Sequence, residues 1–169
     1  ITGNLFQPTN LEGLEWYLNN VHRHLIGTRG YELWVAGSTG GRKPAEFLNR
    51  LEAFSHVKVF YDVPNLDSIY RECAVAVNPM RHGASVKLKS LDAICHGVPL
   101  VSTQVGIEGT ALRTGVHALV SERGDEMASH IGSLLSAPER RRNLVDAAQS
   151  FLAETYNQKQ QLAGLIGSV

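Results

Sequence analysis

The apolar residues of this 169-residue chain alternate between two periods, and this alternation limits the possible folds more than any other feature of the sequence. Short apolar runs such as Tyr31–Ala36 and Val57–Tyr61 are typical of strands, whereas apolar residues three and four positions apart are typical of helices. Six runs of the first kind occur, at residues 1–6, 31–36, 57–61, 74–77, 100–103 and 117–120. Strands that alternate with helices in this way predict an α/β fold with a Rossmann-like, doubly wound, mostly parallel six-stranded sheet.

Local signals predict where several of the helices begin and end. A capping box, Thr9-x-x-Glu12, predicts the start of the first helix, and a second one, Ser136-x-x-Glu139, predicts the start of the last. Gly97 follows a helical stretch over residues 86–96 and predicts a Schellman ending there.

Composition and charge exclude several classes of protein. Sixteen Lys and Arg residues balance sixteen Asp and Glu residues, so we expect no nucleic-acid partner and at most a peripheral membrane contact. A chain with 43% hydrophobic residues is not of the disordered class. Cys73 and Cys95 lie outside any C-x-x-C motif, which indicates reduced thiols and a cytoplasmic protein. The chain starts within a strand pattern, so we expect it to be a piece of something longer.

Several familiar catalytic and cofactor motifs are missing from the sequence. No G-x-G-x-x-G follows the first strand, and the glycine-rich segment at residues 37–43 has Pro44 where a P-loop has a magnesium-binding hydroxyl. Ser85 lacks the closing glycine of a nucleophile elbow. His22 and His24 point about 200° apart on a helix, so one zinc ion cannot bind both. We therefore expect no metal and no cofactor.

The segment Asn78–Pro99 joins a buried strand to the start of a helix through a glycine-containing loop. Free N–H groups and the positive end of the helix dipole favour an anion at such a junction. Lys87 and Lys89 lie in the first turns, where a cation gains nothing from the dipole, so we expect them to serve an anion outside the helix. Lys89 and Asp92 are one turn apart and could bind a phosphate and a vicinal diol of one nucleotide. The alternative is a solvent-exposed ion pair between them.

Further motifs follow one another along nearly the whole chain. They are Gly3…Pro8-x-Asn10…Gly13…Trp16, Glu32-Leu-Trp-Val-Ala-Gly37, Val57…Val63-x-Asn65-Leu66…Tyr70…Cys73-Ala-Val-Ala-Val77-x-Pro79, Lys89-x-x-Asp92-Ala-x-x-x-Gly97-x-Pro99-Leu-Val101 and Gly106-Ile-Glu-Gly109. In order and spacing they resemble the C-terminal, donor-nucleotide half of a GT-B-fold glycosyltransferase, closest to the retaining group-one (family-four) enzymes.

The resemblance implies a function and a set of site residues. It implies a metal-independent, retaining glycosyltransferase whose substrate, a nucleoside-diphosphate sugar, gives its sugar to an acceptor held by an N-terminal domain of the same protein. Lys89 would be the catalytic residue at the diphosphate, and Asp92 would hold the ribose hydroxyls. The other donor-binding residues that it implies are Gly3, Val63, Arg81, Gly83, Ala84, Ser85, Val86 and Lys87. We expect residues 1–156 to form the nucleotide-sugar-binding domain and residues 157–169 a C-terminal helical tail, and this half alone to be inactive.

Several positions depart from the family pattern and leave other functions open. Asn4 and Glu12 stand where many members have a phosphate-binding arginine and lysine. Ala84 and Asp92 stand where the family has the two glutamates of a Glu-x7-Glu pair, and Tyr61 stands where it has a glycine at the base site. One alternative is a non-catalytic module of the same fold, with a degenerate donor site, that serves assembly. The other is a nucleotide-sugar epimerase with a GT-B-like fold.

Overall fold

The computed structural model of the chain describes residues 1–41, 46–84 and 86–166, with the backbone alone for residue 49 and residues 156–166. The strands are β1 (Leu33–Gly37), β2 (Val57–Tyr61), β3 (Ala76–Asn78), β4 (Leu100–Ser102) and β5 (Leu119–Val120). The helices are α1 (Pro8–Tyr17), α2 (Arg23–Leu25), α3 (Glu46–Leu51), α4 (Asp67–Glu72), α5 (Leu88–Cys95), α6 (Gln104–Ile107), α7 (Gly124–Ser136) and α8 (Pro138–Ile166). A π-helical turn, Leu18–His22, joins α1 to α2.

All the strand pairs are parallel. β1 pairs with β2 so that Val35 lies opposite Val59, and β4 lies between β3 and β5 with Val101 opposite both Val77 and Leu119. Parallel strands connected through helices confirm the predicted Rossmann-like α/β class. Because the strands are parallel, their carboxyl ends and the loops that follow them lie at one edge, where ligands of such sheets bind.

The first predicted strand needs a correction. Residues 1–5 run beside β1, where the Gly3 amide donates to the Ala36 carbonyl (3.1 Å), but they form only one β-bridge, between Thr2 and Ala36. The Phe6 amide turns back to the Asn4 side chain (2.8 Å), which ends the extended segment. The part of the chain that the structure describes therefore has five strands, in sheets of two and three, and an extended segment beside β1.

Both predicted capping boxes are wrong. Helix α1 begins at Pro8, with Gln7 as a cap that makes no side-chain hydrogen bond, so Thr9 lies inside the first turn. Proline favours this first position because its φ is already helical and it has no N–H to leave unpaired. The Ser136 hydroxyl donates to two carbonyls of α7, so it belongs to the helix that precedes α8.

The predicted ending of α5 is confirmed. Gly97 has φ 76°, its amide donates to the Ile94 carbonyl (2.9 Å), and the Val98 amide donates to the Ala93 carbonyl (3.0 Å). These two bonds define a Schellman motif, which satisfies carbonyls that the helix end would otherwise leave unpaired.

Helix α8 runs without interruption through residue 156, where a domain boundary was expected. That boundary and the helical tail remain predictions, and residues 167–169 lie outside the described part of the chain.

Two buried clusters hold the layers together. The larger one joins α1, the π-helical turn, β1 and α7 through fully buried side chains that include Leu14, Tyr17, Val21, Val35, Met127 and Leu134. The second joins α5, β4 and α8 through side chains that include Leu91, Ile94, Leu100, Ala148 and Leu152. Both α1 and α5 are therefore fixed against the strands.

Helix α1 also lies directly against the loop that follows β3. A Cβ atom added to Gly13 would lie 2.7 Å from the carbonyl oxygen of Pro79 and 3.3 Å from the Cα atom of Met80. Only glycine allows so close an approach of helix and loop.

We expect Gly13→Ala to lower the free energy of unfolding, because its Cβ would push α1 away from a backbone atom of the β3 loop. Gly132→Ala is the matched control: Gly132 lies inside α7 with no atom within 4 Å of an added Cβ. There, alanine should raise the free energy of unfolding by about 0.5–1 kcal/mol through helix propensity. Urea unfolding followed by circular dichroism measures both, and equal stabilisation by the two variants would contradict the close contact.

Candidate functional site

The candidate site is built around the loop at residues 79–87, which leads from β3 into α5. Gly83 has φ 129°, a conformation that side chains with a Cβ rarely adopt. The ammonium group of Lys87, the residue before α5, donates to the Gly83 carbonyl (2.8 Å), and this lysine is only 3% exposed. Lys87 thus folds back over the loop and closes it.

Lys89 belongs to the first turn of α5, and its side chain extends to Asn10 near the start of the chain. Its ammonium donates to the Asn10 side-chain oxygen (2.7 Å), and the Asn10 amide group donates to the Asn4 carbonyl (2.9 Å). A Cβ atom on Gly3 would lie 2.9 Å from the same amide group, so the loop fits closely around Asn10. Burial, assisted by the charge of Lys87, lowers the pKa of Lys89 to about 8. The ammonium is therefore still charged at neutral pH but has lost much of its water.

Asp92 follows Lys89 by one turn and faces the same region. Its side chain is 43% exposed, and one oxygen lies 3.4 Å from the Nδ1 atom of His96. Its carboxylate also interacts with the hydroxyl of Tyr70, which lies 3.2 Å from the Thr2 hydroxyl. Burial, together with the nearby carboxylate, raises the pKa of Tyr70 to about 12, so this hydroxyl stays protonated and can donate. Asp92 thus keeps an open face while its neighbours set its orientation.

His96 connects α5 to α4. Its Nδ1 atom lies 2.8 Å from the backbone carbonyl oxygen of Asp92, and its Nε2 atom lies 3.1 Å from a carboxylate oxygen of Asp67. Both partners only accept hydrogen bonds, so both ring nitrogens donate when the ring is protonated. The ring stacks on Tyr70 with 4.7 Å between the centroids. These hydrogen bonds raise the pKa of His96, and the bond to the Asp92 carbonyl contributes most.

A different cluster holds the Arg81 side chain. Its guanidinium lies 4.7 Å above the Trp16 ring of α1 and forms an ion pair with Glu122. The other oxygen of Glu122 accepts from the Gln104 amide (2.7 Å). Arg81 thus connects the β3 loop to α1 and to the start of α6, and its charge is neutralised there.

The remaining predicted residues lie on two loops. Gly83, Ala84 and Val86 are exposed in the β3 loop, and a Cβ atom added to Gly109 would lie 3.2 Å from the Val86 side chain. Ser85 falls outside the described residues. Val63 is half-buried two residues after β2, at the same edge of the fold.

The structure brings Gly3, Lys87, Lys89 and Asp92 together and places Val63 and Arg81 in other surroundings. Sequence reasoning gave no role to the polar residues that hold this group, which are Thr2, Asn10, Tyr70 and His96. The motif Pro8-x-Asn10 was a signal for Asn10, but nothing local in the sequence indicated its partner Lys89.

A small cavity of about 10 Å³ lies beside this group, and its mostly apolar lining includes Gly3, Leu5, Leu14, Met80 and Lys89. Among residues 1–41, 46–84 and 86–166, no set of three His, Cys, Asp or Glu residues is placed to bind a metal ion. No helix in the described part of the chain combines the length and the apolar content needed to cross a membrane.

The raised pKa of His96 predicts a pH dependence of stability. A protonated His96 stabilises the fold fully below its unfolded pKa of about 6.5, and this contribution is lost as the pH rises through the higher folded pKa. We expect His96→Gln to unfold at lower urea concentration than the unmodified chain near pH 6, with the difference shrinking toward about pH 9.

His130→Gln is the control for this measurement, since His130 is half-buried on α7 and its ring lies 4.0 Å from the Glu126 carboxylate. A difference between His96→Gln and the unmodified chain that stays constant across this pH range would show that His96 acts by packing alone.

The sequence matches the profile of the family described as "Glycosyl transferases group 1" over residues 1–137. A relative from Klebsiella pneumoniae, "Uncharacterized 44.6 kDa protein in cps region", is 32% identical, over 96% of this chain and 43% of that protein. The chain therefore spans less than half the length of this curated relative.

Solved structures share the fold at low sequence identity. Anabaena HepE (Alr3699), crystallised with UDP, superposes with a TM-score of 0.74 at 15% identity, over 99% of this chain and 48% of that chain. The C-terminal domain of LpcC, a glycosyl transferase group 1 family protein from Francisella tularensis, superposes with a TM-score of 0.67 at 14% identity. The match covers 92% of this chain and 85% of that chain. These likenesses concern the fold alone, and they confirm the predicted resemblance to a C-terminal GT-B domain. Since the family profile matches residues 1–137, the chain belongs to the group 1 glycosyl transferases.

Proposed function

We propose that this chain is the donor-binding domain of a glycosyltransferase and binds a nucleoside-diphosphate sugar where the β3 loop enters α5. The half-buried ammonium of Lys89 is the observation that supports this proposal most directly. Lys89 lies against the loop that contains Gly3 and Asn10, one helical turn before the open carboxylate of Asp92.

The charges around Lys89 favour a diphosphate. The ammonium groups of Lys87 and Lys89 are close enough for the first to lower the pKa of the second. An anion beside them relieves this repulsion, and its attraction is strengthened where water is partly excluded. The start of α5 adds the positive end of a helix dipole.

Asp92 suits the ribose of the same nucleotide. A carboxylate accepts hydrogen bonds from vicinal hydroxyls, and its charge keeps it away from the phosphates. Tyr70 and His96 hold Asp92 from the α4 side, which leaves its exposed face toward the ligand.

Sugar transfer breaks the bond between the anomeric carbon and the diphosphate oxygen and forms a bond from that carbon to the oxygen of an acceptor hydroxyl, which gives up its proton as the diphosphate leaves. Lys89 stabilises the negative charge that develops on the departing diphosphate, a task that Mg²⁺ performs in metal-dependent enzymes. Metal independence and retention of configuration are the parts of this proposal that rest on the family resemblance. The acceptor binds to a domain outside this chain, so the chain alone should not transfer sugar.

The base of the donor is to be sought first among uridine nucleotides. HepE was crystallised with UDP and with UDP-glucose, and its fold covers 99% of this chain.

Calorimetric titration of the chain with UDP, GDP and ADP tests the proposal. We expect one of them to bind saturably and Lys89→Ala to weaken it about tenfold or more, since a charge-assisted hydrogen bond contributes about 1.5–3 kcal/mol. Lys58→Ala is the control. Lys58 lies in β2, near the start of the strand, and forms an ion pair with Glu32. Asp92→Ala should lower the affinity for the nucleoside diphosphate but not for inorganic pyrophosphate, which has no ribose.

A second candidate function, a non-catalytic module of the same fold, is favoured by Ala84, which is exposed in the β3 loop and has no carboxylate to hold a sugar. Absence of binding at nucleotide concentrations up to about 1 mM, where a binding free energy of about −4 kcal/mol would be detected, would support this module and contradict the donor-binding proposal. Formation of an epimer from the nucleotide sugar without any acceptor would instead indicate the epimerase.

A further inference from the structure

Two loops at the carboxyl edge, those after β1 and β2, are joined by a pair of residues that the proposed mechanism does not use. The backbone N–H of Thr39 donates to one carboxylate oxygen of Asp62 (2.6 Å), and the Thr39 hydroxyl donates to the other. The Asp62 amide in turn donates to the Gly37 carbonyl (3.0 Å) at the end of β1. We call this arrangement the Asp62–Thr39 clamp.

The clamp holds backbone that is unfavourable without it. Asp62 adopts φ 49°, a left-handed conformation that is uncommon for residues other than glycine, and Thr39 is only 5% exposed. The hydrogen bonds from Thr39 lower the pKa of Asp62, so the carboxylate is charged at neutral pH and both bonds are charge-assisted.

The loop that the clamp orders has an open outer side. Gly40 and Gly41 have φ of 61° and 72°, and apart from their chain neighbours no atom of the described residues lies within 4 Å of a Cβ added to either. Ser38, Gly40, Gly41 and Asp62 are all exposed. The clamp therefore gives shape to a surface loop rather than support to the core.

A continuous series of hydrogen bonds connects this loop to Lys89. The Lys89 ammonium binds Asn10, the Asn10 side chain binds the Asn4 carbonyl, and the next residue, Leu5, donates through its amide to the Ser38 carbonyl (3.0 Å). Residues 1–5 thus lie between the lysines and the clamp, and all three line the carboxyl edge.

The charges along this edge give a bound nucleotide a direction. Lys87 and Lys89 attract phosphates at one end, whereas the Asp62 carboxylate disfavours them at the other. The uncharged end of the nucleotide, its base, then lies over the loops after β1 and β2, next to Val63.

We propose that Asp62 and Thr39 are positioning residues that set the backbone of Val63 and of the Ser38–Gly41 loop for the base of the bound nucleotide. This inference rests on the proposed function and extends it to residues with no role in binding the phosphates.

The test compares two ligands, the nucleoside diphosphate that the unmodified chain binds and inorganic pyrophosphate, by calorimetry. Thr39→Val and Asp62→Ala should lower the affinity for the nucleoside diphosphate about tenfold and leave the affinity for pyrophosphate within about twofold of that of the unmodified chain. Thr39→Ser keeps the hydroxyl and should bind both ligands as the unmodified chain does. Urea unfolding of each variant shows whether a loss of binding merely follows a loss of stability.

Unchanged affinity of Thr39→Val and Asp62→Ala for the nucleoside diphosphate would overturn the inference. So would an equal loss for both ligands, which indicates a general loss of structure. If the unmodified chain binds pyrophosphate and nucleoside diphosphate equally, the base makes no contact and the inference fails while a phosphate site remains. If it binds neither, the proposed function fails, and the inference fails with it.

Discussion

The contact between α1 and the loop after β3 is the constraint on which the candidate site depends. Gly13 lets the helix approach the Pro79 carbonyl more closely than any residue with a Cβ would allow. This approach puts Asn10 beside Lys89 and Trp16 beside Arg81. Without it, Lys89 would be an ordinary surface lysine at the start of a helix. With it, the ammonium loses water and is held at a defined point by a neutral partner, which leaves its charge available to an anion.

The candidate site shows how a chain with balanced charges can still bring two ammonium groups close together. Arg81 is neutralised by Glu122, and His96 interacts with Asp67 and Asp92, so these groups mainly connect elements of the fold. The amide oxygen that holds Lys89 has no charge. Ion pairs thus connect the elements around the site, whereas hydrogen bonds to uncharged oxygens hold the Lys89 ammonium, the cation that the proposed donor needs. A net charge of +0 therefore carries no information about this site.

Much of the fold could be predicted because the pattern of apolar residues reports burial directly. The strand over residues 57–61 and the Schellman ending at Gly97 follow from such local signals. The two capping boxes failed since a local signal competes with its neighbours. Pro8 starts α1 earlier than Thr9 would, and α7 extends far enough to include Ser136. The first strand failed as a regular element because the chain turns at Asn4.

The sequence by itself determined the parallel α/β class, the order of its elements and the family to which the chain belongs, because periodicity and motif spacing are local properties of the chain. The tertiary structure alone decided which polar side chains meet. Lys89 and Asn10 are separated by 79 positions, Arg81 and Glu122 by 41, and Thr39 and Asp62 by 23. No local pattern links such pairs, since their distances depend on how helices and loops pack across the sheet. For the same reason, the sequence predicted a ligand-binding role for Lys89 and Asp92, which stays a prediction, but not which residues contact them in the folded chain.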